Sequence, residues 1–407
     1  MSPFPTSDLG VVRDLAARCF ELATSEEYEA RRRRWRDVNE RRKPDRAPVW
    51  CRPAGVWREL VPPESLACTD AGCRQVEVVL RQHLYKEGVG DDHIFDPWWS
   101  VPVRWRSDPP DPWGVHLGPQ VASTSLGGFR YDPPLKTPED FEAVTVPQFW
   151  PDMEATERQA SQMADLLGEA MPVRVTCAPP LAPTLGTYLE KLRGMGPLME
   201  DLAFRPHLIH RLMAKLTEGV LDGLRVAEDS GLLTTNHTEP MICSDPVEGG
   251  ETDGRVALRN LWSGANSQEF DQVSPAMTEE FLLNYQKPLF QQFGAVWYGC
   301  CENLTHKIAA VLRIPNLRVF VCSAWTDLDR VIEACDGRHT IMWRQSAAAV
   351  VFPDDLEPIR RHLDEGLRKL QGHSYQVVLR ELETLQGHPN RLREWANLAK
   401  ELAARWA

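Results

Sequence analysis

Apolar and polar residues follow different rhythms along this chain, and the changes between them divide it. Residues 8 to 43 carry apolar positions at helical spacing and predict two helices. Asp8 reads as the cap of a run ending near Ala23, and Ser25-Glu26-Glu27 opens a second, highly charged helix. Together they form an N-terminal helical extension, residues 1–47. Pro48-Val49-Trp50-Cys51-Arg52-Pro53 then reads as a short buried strand ending in a polar turn, the first strand of the main unit, residues 48–407. Between about 83 and 150 prolines cluster and short alternating runs such as Val101-Pro102-Val103-Arg104-Trp105 appear. That pattern predicts an insertion of hairpins and loops, not a repeating βα unit.

Regular alternation resumes with a helix near 151–169, the strand Val173–Cys177, a helix pair over 186–230 and a strand Leu232–His237. An irregular stretch at 245–270 precedes a helix at 275–292 and the strand Gly294–Cys300. Helices at 305–312, 328–335, 356–370 and 389–405 then alternate with strands at 317–322, 339–343 and 375–379. Short connections between strands and helices predict parallel strands joined by right-handed crossovers. The expected fold class is α/β, a (β/α)8 TIM barrel with N-terminal helices and a Pro/Trp-rich hairpin insertion. No G-x-G-x-x-G follows any strand, which argues against a dinucleotide-binding version.

Lys plus Arg number 46 against 58 Asp plus Glu, and the net charge of -12 excludes non-specific nucleic-acid binding and favours solubility. Arg31-Arg32-Arg33-Arg34 is a local exception and reads as the solvated face of a helix. No secretory pattern opens the chain and no stretch approaches 18 uncharged apolar residues, so a cytoplasmic location is expected. Ten scattered cysteines do not suggest a disulfide framework.

In a barrel the reacting groups lie at the C-terminal ends of strands. Four such ends carry acids or metal-ligand types: His237 with Glu239, Cys300 with Cys301 and Glu302, Cys322, and Glu381 with Glu383. A catalytic zinc ion takes three protein ligands and keeps one open position, and this set contains suitable donors. Buried apolar thiols are the alternative. Side chains alternate along a strand, so only one of Cys300 and Cys301 can face the axis unless the chain turns at Gly299. His237 suits a ligand, a proton donor or a loop hydrogen-bonder. Trp98, Trp99, Trp105 and Trp113 suit either the wall of a flat-ligand pocket or a satellite core. Arg52, Arg104 and Arg344 suit carboxylate or phosphate recognition, or surface ion pairing.

The stretch Trp297-Tyr298-Gly299-Cys300-Cys301-Glu302-Asn303-Leu304-Thr305-His306-Lys307 resembles the uroporphyrinogen decarboxylase superfamily, in particular its corrinoid-linked methyltransferase-like branch with a Tyr-Gly-Cys-Cys-Glu segment. Ser267-Gln268-Glu269, Ile314-Pro315-Asn316-Leu317, Ser323-Ala324-Trp325 and Gly387-His388-Pro389 extend the resemblance over most of the chain from residue 48. It implies a barrel with a deep pocket, zinc as cofactor and methyl exchange with a corrinoid (cobalamin-type) cofactor on a separate partner protein. Those enzymes carry His-x-Cys at this strand end and a later Cys. Here position 298 is Tyr and no cysteine follows Cys335, so His237, Glu302 or Cys322 would have to complete a zinc set.

The expected function is a zinc-assisted methyltransferase or demethylase acting on a small molecule. Its catalytic residues would be His237, Tyr298 and Glu302, its substrate contacts Arg52, Trp98, Trp99 and Arg344, and its metal ligands Cys300, Cys301, His237 and Cys322. A metal-independent decarboxylase or lyase of a carboxylated substrate, and a non-catalytic tetrapyrrole- or corrinoid-binding protein, are the alternatives.

Overall fold

The computed structural model describes residues 4–117, 119–121, 129–236, 247 and 254–407. The strands, in chain order, are β1 (Val49–Pro53), β2 (Trp99–Pro102), β3 (Trp105–Asp108), β4 (Pro119–Val121), β5 (Phe129–Tyr131), β6 (Gln148–Pro151), β7 (Val173–Thr176), β8 (Trp262–Ala265), β9 (Ala295–Tyr298), β10 (Leu317–Cys322), β11 (Thr340–Gln345) and β12 (Tyr375–Leu382). Six of them hydrogen-bond in the order β1-β12-β11-β10-β9-β8 as one parallel sheet. β2 and β7 form a separate parallel pair, while β3 with β6 and β4 with β5 are antiparallel.

Strands buried on both faces need apolar side chains at successive positions. β11 meets that condition at Ile341, Met342 and Trp343, and its polar Thr340, Arg344 and Gln345 are buried as well. Val49, Cys51, Tyr298, Phe320, Cys322, Ile341, Trp343, Val377 and Leu379 point to the crossover helices, where Val331, Leu363, Leu367, Trp395 and Leu402 meet them. Trp50, Val319, Val321, Met342 and Val378 point to the opposite, inner face and pack with Val12, Cys19, Tyr28, Trp35 and Val38 of the N-terminal helices Thr6–Ala23 and Glu26–Asn39. A third apolar cluster joins the helices Leu185–Arg193, Met195–Phe204 and Pro206–Asp229 to Trp113 and Phe141 of the insertion.

Eight strands closed into one hydrogen-bonded ring are not seen among the described residues. Between β7 and β8 the link is made by isolated bonds. Thr234 N–H donates to Cys177 O at 3.1 Å, and the Asn236 amide donates to Trp262 O at 2.6 Å and accepts from its N–H at 3.0 Å. Leu232 to Asn236, expected as a strand, has no ladder, and His237 lies outside the described residues. Beyond β1, Asp92 N–H reaches Val49 O at 2.8 Å.

Several expectations change. The helix Ala71–Val89 runs through residue 83, so the irregular segment starts later than expected. Within it, Trp99–Pro102 pairs in parallel with Val173–Thr176 and belongs to the βα pattern. Pro102 stands on a strand that, among the described residues, ladders with one neighbour only, and such an edge position tolerates proline. Asp8 does not cap its own helix but accepts from the N–H groups of Thr69 and Asp70, each at 2.8 Å, and so ties that helix to the start of Ala71–Val89.

The arginine run is not a solvated face either. Arg31 is buried against Glu27 and Glu87, and Arg34 pairs with Asp45 and Asp92. Asp92 also accepts from Arg46 at 2.6 Å and from the Val49 N–H at 2.7 Å, which anchors the start of β1. Only Arg33 of the four is exposed.

Trp35 is fully buried and donates through Nε1 to Asp92 O at 2.7 Å. Trp35→Ala should therefore cost about 3–5 kcal/mol by removing a large buried side chain. Urea unfolding followed by circular dichroism should show one transition at a lower midpoint, because these helices share a core with the sheet.

Candidate active site

β9 stops at Tyr298, and the next residue turns the chain. Gly299 has φ 113°, a conformation side-chain-bearing residues rarely adopt. A Cβ there would stand 3.0 Å from Val321 Cβ, Val321 O and Leu304 Cδ1. Glycine is thus required both by backbone geometry and by the closeness of β10. Gly299 N–H still donates to Ala265 O at 3.0 Å, so the turn is tied to β8. The strand alternation that would separate Cys300 from Cys301 ends at this point, and their sulfurs lie 3.6 Å apart.

Both thiols are half-buried and free. Arg344 donates to Cys300 O through Nη1 and places Nη2 3.8 Å from Cys301 Sγ. Arg380 Nη1 lies 3.9 Å from Cys300 Sγ. The hydrogen bond from Cys301 pulls the Cys300 thiol down to about 5, and Arg344 and Arg380 reinforce that against the opposing effect of burial. The same hydrogen bond, followed by burial, pushes the Cys301 thiol up. The two thiols thus shift in opposite directions, and Cys300 is the one its surroundings favour as thiolate. Burial lowers the Arg380 guanidinium to about 10, with a further contribution from Arg344, while the Cys300 charge opposes the shift.

Glu302 is 3% exposed and closes this turn. Its Oε1 accepts from Ser267 N–H at 2.7 Å and Ser267 Oγ at 3.1 Å, and its Oε2 accepts from Cys300 N–H at 2.9 Å. Burial raises its carboxyl, while the Ser267 and Cys300 N–H donors act in the opposite sense. Tyr298 is fully buried on the helix-facing side, where its hydroxyl donates to Gln286 Oε1 at 3.0 Å, and Gln286 Nε2 donates to Pro183 O at 3.0 Å. Cys322 also points to that side, with its thiol against Thr326 O at 3.7 Å. The structure thus brings Cys300, Cys301, Glu302 and Arg344 together and sets Tyr298 and Cys322 on the opposite face of the sheet.

Arg380 is the residue that sequence reasoning missed. Arg344 pairs with Val378 in the β11–β12 ladder, and Trp50 pairs with Val378 in the β1–β12 ladder. Two residues further on, where the β1–β12 register shifts by one, Arg380 reaches the thiol pair beside Arg344, and Arg52 is the next residue but one after Trp50. The available signal was the continued alternation Val378-Leu379-Arg380 past the expected strand end. Arg104, by contrast, is exposed on the insertion and takes no part.

Arg52 opens onto a cleft of about 370 Å3 lined by Trp50, His83, His93, Phe95, Trp98 and Trp99. His83 stacks on Phe95 with centroids 4.2 Å apart, and Arg174 lies 3.9 Å over the Trp98 ring. The indole N–H groups of Trp50 and Trp98 are buried with no hydrogen-bond partner among the described residues. Trp98 and Trp99 therefore line a pocket, whereas Trp113 is fully buried in the helical core.

For zinc the described residues do not make a sufficient set: among them no three His, Cys, Asp or Glu side chains form a group able to hold a metal ion. Both Glu302 oxygens are taken by N–H donors, Cys322 points away, and guanidinium groups lie against the two thiols. His237 and Glu239 lie outside the described residues.

No sequence family profile matches the chain, and no curated protein aligns with it. Its fold is similar to that of a methyltransferase from Methanosarcina mazei, at TM-score 0.55 and 12% identity, covering 91% of this chain and 98% of the other. At that identity the likeness shows the fold. No helix among the described residues is long and apolar enough to cross a membrane.

A thiol whose ionisation is lowered by folding is thiolate above its shifted value and protonates as pH falls through it. Alkylation of Cys300 by iodoacetamide, followed by peptide mass spectrometry, should keep its rate as pH drops below the ordinary thiol range. It should fall only near about 5. Arg380→Met should move that fall to higher pH.

Glu302→Gln sets an amide NH2 against one of two backbone N–H donors. It should cost about 1–3 kcal/mol in a denaturation curve through the donor left unsatisfied.

Proposed function

We propose that the chain is a methyltransferase or demethylase on a (β/α)8-type barrel of the uroporphyrinogen decarboxylase superfamily. It would move a methyl group between a small anionic substrate and a corrinoid carried by a separate protein. The observation that carries this reading is the thiol pair held between Arg344 and Arg380 at the C-terminal edge of the parallel sheet. The methyltransferase of similar fold supports it.

In this reading Arg52 and Arg380 bind the carboxylate or phosphate of the substrate, since Arg52 opens onto the aromatic cleft and Arg380 reaches the thiols. Trp50, Trp98 and Trp99 cover a planar apolar part of it and exclude water. Arg344 holds the Cys300 carbonyl and fixes the turn. Cys300 presents its thiolate to the reacting atom. Glu302 keeps the Cys300 and Ser267 N–H groups in place, and Tyr298 positions the strand end through Gln286. Zinc, where it takes part, would use Cys300 and Cys301 as thiolate donors together with His237 or Glu239, and would act as a Lewis acid on the methyl-bearing heteroatom.

A metal-independent decarboxylase or lyase is the second reading. It is favoured by the three neighbouring arginines and by the Glu302 carboxyl, which burial raises.

The deciding experiment combines metal analysis of purified protein with transfer of methyl to or from free cobalamin. Zinc in the wild type that is lost from Cys300→Ser and Cys301→Ser would put the metal at the thiol pair, and both variants should lose cobalamin-dependent transfer. Wild-type activity that persists after chelation and ignores methylcobalamin would replace this reading with the decarboxylase one. In either reaction Arg380→Ala should raise KM for an anionic substrate roughly ten- to hundredfold, the loss of one charged hydrogen bond.

A further inference from the structure

Seven of the nine described cysteines are buried: Cys19, Cys51, Cys68, Cys73, Cys177, Cys322 and Cys335. Cys300 and Cys301 alone among them are partly open, and they are adjacent in sequence with sulfurs 3.6 Å apart. Sulfurs at that distance must approach by about 1.5 Å to bond, since a disulfide closes to about 2.05 Å.

We propose that the Cys300–Cys301 pair is a reversible oxidation site, closing to a vicinal disulfide when a hydroperoxide reaches the turn.

Three features of the turn favour this chemistry. The β9 ladder ends before the pair, so closing the ring breaks no strand pairing at either cysteine. Gly299, immediately before them, already holds the left-handed conformation that lets both side chains lie on one side. Arg344 and Arg380 place guanidinium groups within 3.8 and 3.9 Å of the two sulfurs, where they attract a peroxide oxygen and stabilise the oxyanion it leaves.

The steps balance with the hydroperoxide as the sole oxidant. The Cys300 sulfur attacks the peroxide, the O–O bond breaks, and Cys300 becomes a sulfenic acid as an alcohol or water departs. The Cys301 sulfur then attacks the sulfenic sulfur, the S–O bond breaks, water leaves, and the S–S bond forms. Two electrons pass from the thiol pair to the peroxide.

Consecutive Cα atoms are about 3.8 Å apart across a trans peptide, below the roughly 4.4–6.8 Å usual for disulfides. A bond closed at that spacing is strained, and strained disulfides are the readily reduced ones. The oxidised form would therefore return to the dithiol under a modest excess of small thiol. While oxidised it would leave no thiolate at the site, so the same turn would link the enzyme's activity to peroxide.

The test reads peptide mass and not turnover, so it does not depend on the reaction proposed above. The full-length protein is treated with hydrogen peroxide, alkylated and mapped. The peptide carrying residues 300 and 301 should lose two hydrogens, become inert to iodoacetamide at both cysteines, and regain both sites after dithiothreitol. In Cys301→Ser the ring cannot close, and Cys300 should instead yield a sulfenic acid trapped by dimedone. Mapping separates these products from any at Cys243, which lies outside the described residues. Oxidation that goes straight to sulfinic or sulfonic acid, or a peptide that never loses two hydrogens while remaining alkylatable, would overturn the proposal.

Discussion

The positive-φ turn at Gly299, pressed against Val321, is the constraint on which the candidate site depends. Two adjacent residues in a regular strand point to opposite faces, and the sheet would then bury one cysteine under the crossover helices. Ending β9 one residue early removes that opposition. A side chain at 299 would be strained by the positive φ and would press on Val321 and Leu304 at 3.0 Å, so glycine holds the turn against β10. Glu302 secures it from the far side by accepting from Ser267 at the end of β8 and from Cys300 in the turn itself. A buried carboxylate is costly unless its oxygens are satisfied, and here three donors supply that compensation.

Electrostatics then give the turn its chemical character. Two guanidinium groups and a neighbouring thiol favour the Cys300 thiolate, and burial opposes it. The lowering prevails because the favourable partners are close, the Cys301 hydrogen bond first among them. The arrangement depends on strand pairing: Arg344 shares a register row with Val378 and Trp50, and Arg380 and Arg52 follow two residues on, where the β1–β12 register shifts by one residue. The opposite end of the sheet is closed by the N-terminal helices, where Thr340 donates to Val38 O at 2.7 Å and Arg318 to Asn39 O at 3.2 Å. Their arginines pair internally with Asp45, Asp92 and Glu87, and so serve the scaffold and leave anion recognition to the strand ends.

Much of the element order was legible because it rests on local patterning. β10 and the helices Leu328–Cys335 and Glu357–Leu370 match their expected spans closely, since an apolar run or a helical stripe is a property of contiguous residues. The parallel pairing of Trp99–Pro102 was hidden because proline and tryptophan there look like loop composition, while pairing depends on a partner about seventy residues away. The helix from Pro275 was legible as one segment, but its π turn over Glu279–Leu283 was not, as that depends on how the helix packs.

The candidate site divides along the same line. Cys300, Cys301, Glu302 and Arg344 could be picked out in sequence because a strand end followed by glycine and two thiols is unusual local chemistry. The sequence by itself also determined the α/β alternation and marked Gly299 as the place where a turn would let both cysteines face one side. Only the tertiary structure decided that both sulfurs meet, that Arg380 joins Arg344 beside them, and that Tyr298 and Cys322 point to the helices. Those outcomes depend on register between strands and on which face each strand buries, and these are set by residues far apart along the chain.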